Sequence, residues 1–196
     1  MIAPALHRFF LGGHDLEMLT IRELLIEAGL GGAIVDHDLA WGARASAYAS
    51  DIRASLARGE TPVLIELADD LGESFERSRI VFADHHAERA GSGAPSALRQ
   101  IFDLIAACRK PVWSRWLALV EANDIGHAEA LRRLGASRGE IRSVRDADRR
   151  AQRVSTEVEE ESRRAIAGMM VWTAPPRRHQ SAKTWSQERH KEGDRP

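Results

Sequence analysis

The chain has 196 residues, 43% hydrophobic and 29% charged, with 28 basic against 29 acidic side chains and a single cysteine. The net charge of −1 excludes the broad basic footprint that draws nucleic acid or an anionic membrane surface. The lone Cys108 excludes an intrachain disulfide framework and suits a reducing compartment.

The length fits one domain, or one domain plus a tail. No apolar run reaches the roughly 20 residues of a membrane-spanning helix, and MIAPALHRFF lacks the basic-then-apolar build of a secretory signal. A cytoplasmic protein is expected, with no membrane partner. In chain order, LHRFFL (6–11) reads as a strand. Residues 15–28 read as a helix with Leu16, Leu19, Leu24 and Ala28 near one face, stopped by Gly29. AIV (33–35) is a short strand, 43–58 a helix ended by Gly59, PVLIEL (62–67) the clearest strand and RIVFA (79–83) the next. This alternation predicts right-handed crossovers and an α/β fold: an open, mostly parallel sheet with helices on both faces.

A helical C-terminal segment follows. Residues 95–107, 112–124 and 127–134 have helical patterning, and Ser137-x-x-Glu140 and Thr156-x-x-Glu159 have capping-box spacing. Trp113 and Trp116, three apart, predict a shared helix face in the core, and Cys108 in IFDLIAAC reads as a buried small hydrophobe. Beyond Trp172 the sequence is polar, basic and proline-bearing. A disordered tail is expected there, with a nucleic-acid-binding arm as the alternative. The expected division is an α/β domain over 1–126, a helical extension packed on it over 127–172 and a tail over 173–196.

Chemistry gathers where the strands end. His14, Asp15 and Glu17 follow the first strand, Asp36, His37 and Asp38 the second, Glu66, Asp69 and Asp70 the third, and Asp84, His85 and His86 the fourth. VEANDIGH later supplies Asp124 and His127. Ligands of open parallel sheets bind at the carboxyl ends of the strands, and carboxylates packed together there would repel one another unless a cation intervened. Oxygen and imidazole donors suit manganese, magnesium, zinc or iron. Shared carboxylates favour two ions about 3.5–4 Å apart, the arrangement that activates water against phosphate esters. Ordinary Asp-rich turns are the competing explanation, strongest for Asp36 to Asp38. Arg89 and the Gly91–Ser96 loop, leading into a helix N-terminus, could hold an anion.

The Asp84-His85-His86 segment resembles the third motif of the DHH phosphoesterase superfamily, which includes manganese pyrophosphatases and oligonucleotide phosphodiesterases. The resemblance spans about residues 6–126. It implies a metal-dependent phosphoesterase acting on a phosphoanhydride or phosphodiester of nucleotide type. Its implied cofactor is two Mn²⁺ per chain, or Mg²⁺ or another divalent cation. Metal ligands would be drawn from His14, Asp15, Glu17, Glu66, Asp69, His85 and Asp124, with His86 and Arg89 at the phosphoryl group and Asp84 orienting His85. Implied partners are a phosphate-containing small molecule or short oligonucleotide, with a second copy of the chain as a further candidate. The motif pattern departs from the family's at two points: Leu11 stands where its first motif has histidine, and glutamates stand at Glu17 and Glu66 in place of aspartates. A non-catalytic DHH-like domain that binds a nucleotide or a partner protein is the second expectation.

Overall fold

The computed structural model describes residues 6–85, 94–153 and Arg164. The chain divides into two units, Met1–Val154 and Ser155–Pro196, and the sheet with its covering helices belongs to the first. The helix expected after Thr156, the tail, His86 and Arg89 lie outside the described residues.

Four parallel strands, β1 (His7–Phe10), β2 (Ile34–Val35), β3 (Thr61–Ile65) and β4 (Val81–Ala83), form one sheet in the order β2-β1-β3-β4. The α/β expectation holds. Consecutive strand residues point to opposite faces, and each face is buried. Phe9, Leu11, Val63, Ile65 and Ala83 enter one core, while Phe10, Leu64 and the half-buried Phe82 enter the other. The first core is covered by α1 (Leu16–Glu27), α3 (Ala97–Arg109), α4 (Arg115–Arg133) and α5 (Arg138–Ala151). The second is covered by Tyr48 and by Ile52 of α2 (Ala49–Ala57). Leu131, Val144 and Ala151 share the first core with the strands, so the helices beyond residue 127 are continuous with the α/β layer. No helix among the described residues is long and apolar enough to cross a membrane.

The helix signals act through local hydrogen bonds. Asp15, Ser96, Ser114 and Ser137 are N-caps whose side chains accept from backbone N–H groups of the first turn. Ser137 and Glu140 complete the expected capping box. Gly29 and Gly59 take positive φ just past α1 and α2, the left-handed stop that glycine adopts without strain.

Four sequence expectations are corrected. Leu19 is 41% exposed; Leu16, Met18, Ile21, Leu24 and Leu25 form the buried face of α1. Cys108 lies on the exposed side of α3. Trp113 precedes the N-cap Ser114 and so is not on α4; it packs edge-on against Phe102 with Arg99 over its ring, and Trp116 is partly exposed. The two helices expected over 112–134 form one, α4, broken by non-helical backbone at Gly126 and His127.

Candidate metal centre

In this strand order the chain leaves β1 for one side of the sheet and returns to β3 on the other. The crevice between the carboxyl ends of β1 and β3 is therefore the topological switch point, where open α/β sheets bind ligands. Gly12 and Gly13 let the chain turn there without steric conflict. A Cβ on Gly12 would lie 2.7 Å from the Ile65 carbonyl oxygen, and one on Gly13 would lie 2.6 Å from that of Ala40. Asp15 then caps α1, its Oδ1 accepting from the Met18 N–H at 2.7 Å, and Glu17 follows in the first turn.

Glu17, Glu66, His85 and Asp124 come together so that one ligand atom from each lies within 4.8 Å of the others. Glu66 directly follows β3 and holds a left-handed backbone (φ 50°), an uncommon conformation for a residue with a Cβ. Its N–H donates to the Ala83 carbonyl at 3.0 Å, tying it to the end of β4. His85 comes two residues after β4. Asp124 sits on α4 just before the break at Gly126 and His127, the latter at φ 48°. Local strain of this kind clusters at functional sites.

The His85 Nδ1 is 3.3 Å from Glu66 Oε1, and its Nε2 is 3.0 Å from Asp124 Oδ2. The hydrogen bond with Asp124, then that with Glu66, pushes the imidazole pKa up to about 10 against the opposing effect of burial. Glu17 is 2% exposed. Its Oε1 accepts from the Leu98 N–H at 2.8 Å, so the anion at the N-terminus of α3 is this carboxylate. Its Oε2 is buried and meets no hydrogen-bond donor among the described residues. Burial, then the charges of Asp124 and Glu66, hold its pKa well above the usual carboxylate range. Burial likewise raises Asp15 to about 7, with the charges of Glu66, Asp124 and Asp148 adding to the effect and the Met18 N–H opposing it.

A cavity of about 400 Å³ opens over this cluster, and Asp15, Asp84, His127, Asn123 and Asp148 also line it. Asn123, 4% exposed, donates to Asp148 Oδ2 at 3.2 Å, and Gln152 donates to Asp148 Oδ1 at 3.0 Å. Sequence reasoning missed Asp148 and Asn123. Nothing in RDADRR distinguishes Asp148 from its charged neighbours, and only the packing of α5 on α4 brings it to the cavity. Trp41, 88% exposed, also lines this cavity and was missed.

The structure takes two of the expected ligands elsewhere. Asp69 holds Arg77 through two bonds of 2.8 and 2.9 Å, and Arg77 also donates to the carbonyls of Leu71 and Phe75. It organises the loop before β4 and is not in the cluster. His14 points its Nε2 at Asp38 Oδ1, 2.8 Å away, in the neighbouring cleft. It is not among the four converging residues, and Leu11 is 1% exposed within the apolar core.

The donor set suits a divalent cation. Three acidic side chains and an imidazole converge there, and Glu17, whose proton is held tightly by burial and its acidic neighbours, would release it to a cation. Without a cation, His85 lies between Glu66 and Asp124 with its pKa raised by both. A cation would displace its proton, because only neutral imidazole binds metal. Compared with protein-family models, with curated proteins and with solved structures, the chain gives no match to any of them.

Proposed function

We propose that this chain is a metal-dependent phosphoesterase resembling the DHH family, acting on a phosphoanhydride or phosphodiester of nucleotide type. The observation that carries the reading is the convergence of Glu17, Glu66, His85 and Asp124 at the switch point of a parallel sheet. Four donors suffice for one cation, and Asp15, in the same cavity, is the carboxylate to add for a second. Mn²⁺ fits the mixed oxygen and nitrogen donors, as do Mg²⁺ and related ions. Such cations, when bound, act as Lewis acids on a water and on the phosphoryl oxygens.

The chain's own residues have separate tasks. The Glu17 carboxyl is held by the α3 N-terminus; the Glu66 backbone is held by its bond to Ala83 and its carboxyl by the contact with His85. His85 gives up its proton on loading. His86 and Arg89, which follow it in sequence, are the candidates to meet the phosphoryl oxygens. A cytoplasmic, non-membrane role accompanies this reading.

The test is direct. Full-length protein purified without chelator should bind Mn²⁺, melt at higher temperature with it, and release phosphate or nucleotide from pyrophosphate, short oligonucleotides or cyclic dinucleotides. His85→Ala should lose metal and hydrolysis together, whereas His86→Ala should keep metal and lose rate. An unchanged melting temperature with Mn²⁺, Mg²⁺, Zn²⁺ and Fe²⁺ would defeat the metal centre. A second reading, a non-catalytic DHH-like domain that binds a nucleotide or partner protein, is favoured by the buried Leu11 in place of a first-motif histidine. Metal binding without hydrolysis of any of these substrates selects it.

A further inference from the structure

We propose that Trp41 is the stacking platform for a nucleobase at the mouth of the metal cavity, making it the residue that separates nucleotides from simple phosphates. This rests on the metal-dependent reading above. Trp41 is 88% exposed and yet lines the same cavity as Glu17, Glu66 and Asp124. Its backbone is held in place from two sides. The closest atoms to a Cβ on Gly13 would be Ala40 O at 2.6 Å and Trp41 Cα at 2.8 Å, so the two segments touch. The His14 N–H donates to the Leu39 carbonyl at 3.1 Å. Beyond the turn at Gly42 (φ 80°), the Ala43 carbonyl accepts from the Ala68 N–H at 3.0 Å. An exposed indole on a pinned backbone gives up little freedom on stacking, because it has only two side-chain torsions to fix.

The chemistry of the walls narrows the ligand. A phosphoryl group would sit on the cation at the deep cluster. Past the cluster, Asp148 on the wall disfavours a further phosphate at that point, while Asp15 is the carboxylate offered to a second cation. The part of the ligand that reaches the cavity mouth meets an aromatic face, which suits a base rather than another phosphate. A volume of about 400 Å³ lies within the range of small-ligand sites, roughly 300–1,000 Å³. An organic cation would also be drawn to an indole beside carboxylates, and the test separates the two.

Full-length protein loaded with Mn²⁺ would be titrated calorimetrically with 5′-AMP, inorganic phosphate and choline, as wild type, Trp41→Ala and Trp41→Phe. Losing a base–aromatic stack weakens binding roughly five- to hundred-fold. Trp41→Ala should lower AMP affinity by that factor and leave phosphate affinity unchanged, and Trp41→Phe should retain most of the AMP affinity. Equal loss for AMP and phosphate, no loss for either, or choline binding without AMP binding would each overturn the platform. Wild type that binds no Mn²⁺ defeats the metal centre and the platform with it. Mn²⁺ bound normally, with AMP affinity indifferent to Trp41→Ala, defeats the platform alone.

Discussion

After β2, Asp36, His37 and Asp38 each meet a separate partner near water. Asp36 Oδ1 accepts from the Asp38 N–H at 2.9 Å, His37 Nε2 lies 3.3 Å from Asp51, and Asp38 pairs with His14 and Arg153. After β3 and β4 the same residue types converge. Glu66 and His85 are each 11% exposed, against 40% for His37 and 64% for Asp38. Acids and histidines at a strand end thus do not by themselves make a site. In the first region turns and surface pairs neutralise each group one by one. In the second, Glu66 and Asp124 share one imidazole, and burial with its acidic neighbours makes Glu17 hold its proton tightly. The groups there are neutralised together rather than one by one, because buried charge without a partner is costly.

The largest effect should come from the glycines between the two regions. Gly12→Ala pushes a Cβ toward the Ile65 and Glu66 carbonyls, and Gly13→Ala pushes one toward Ala40. Both obstacles are backbone, so each change should cost about 3 kcal/mol in urea unfolding, the upper range for overpacking. Only Gly12→Ala moves Glu66 directly, so it should lose more Mn²⁺ affinity than Gly13→Ala. Equal losses would mean that the two regions form one site. As a control, Gly72→Ala, with nothing within 4 Å of its Cβ, should stay within about 0.5 kcal/mol of wild type.

Next come the two histidines. In metal-free protein His85→Ala leaves Glu66 and Asp124 facing one another, and breaking a largely buried pair should cost about 3 kcal/mol. His37→Ala removes a half-exposed pair with Asp51 and a ring contact with Tyr48, worth about 1 kcal/mol or less. Similar unfolding free energies for the two variants would erase the distinction.

How far this contrast was legible in the sequence depends on range. The strands were legible because Phe9-Phe10-Leu11 and Val63-Leu64-Ile65 are apolar at every position, as a sheet buried on both faces requires. Glu17, Glu66, His85 and Asp124 were readable as strand-end or helix residues of the right chemistry. Which acids converge was not readable. Asp69 and Glu66 are three apart, and only the fold turns one to Arg77 and the other to His85. His14 and Asp15 are adjacent, yet a helix start sends them to different clefts. Asp148 is contributed by a helix whose docking no local pattern announces. Cys108 and Leu19 were misjudged for a related reason: apolar character places a residue on a helix without fixing which face meets the core.

A smaller effect is the pH response of the metal-free protein. Asp15 has its pKa raised by burial to about 7, and His85 has its pKa raised by Asp124 and Glu66 to about 10. For both groups the folded state holds its proton more tightly than the unfolded chain. The contribution of Asp15 is present below about pH 4 and lost as pH rises through 7; that of His85 is present below about 6.5 and lost through 10. Unfolding free energy of the metal-free chain should therefore fall as pH rises from 4 to 10. Glu17, raised in the same direction, adds to the slope, so Glu17→Gln should flatten it while weakening metal binding. A metal-free stability that rises with pH over this range would contradict the cluster's electrostatics.

The smallest effect tests the first region. Asp38 accepts two bonds from Arg153, at 2.7 and 3.2 Å, and pairs with His14. Arg153, then burial working against it, holds the Asp38 carboxyl below its ordinary pKa. The group is exposed, so water and salt screen these contacts. Asp38→Ala should lower the melting temperature slightly at low ionic strength, and the difference from wild type should shrink as salt is added. Mn²⁺ affinity should not change, because His14 and Asp38 lie in the neighbouring cleft and share no ligand with Glu66 or His85. The measurement is a pair of melting curves at low and high salt together with a Mn²⁺ titration. A salt-independent drop would mean that the pair is buried in solution. A fall in Mn²⁺ affinity would mean that Asp38 and His14 reach the cation through the loop that carries Trp41, and the two regions would then be one extended site.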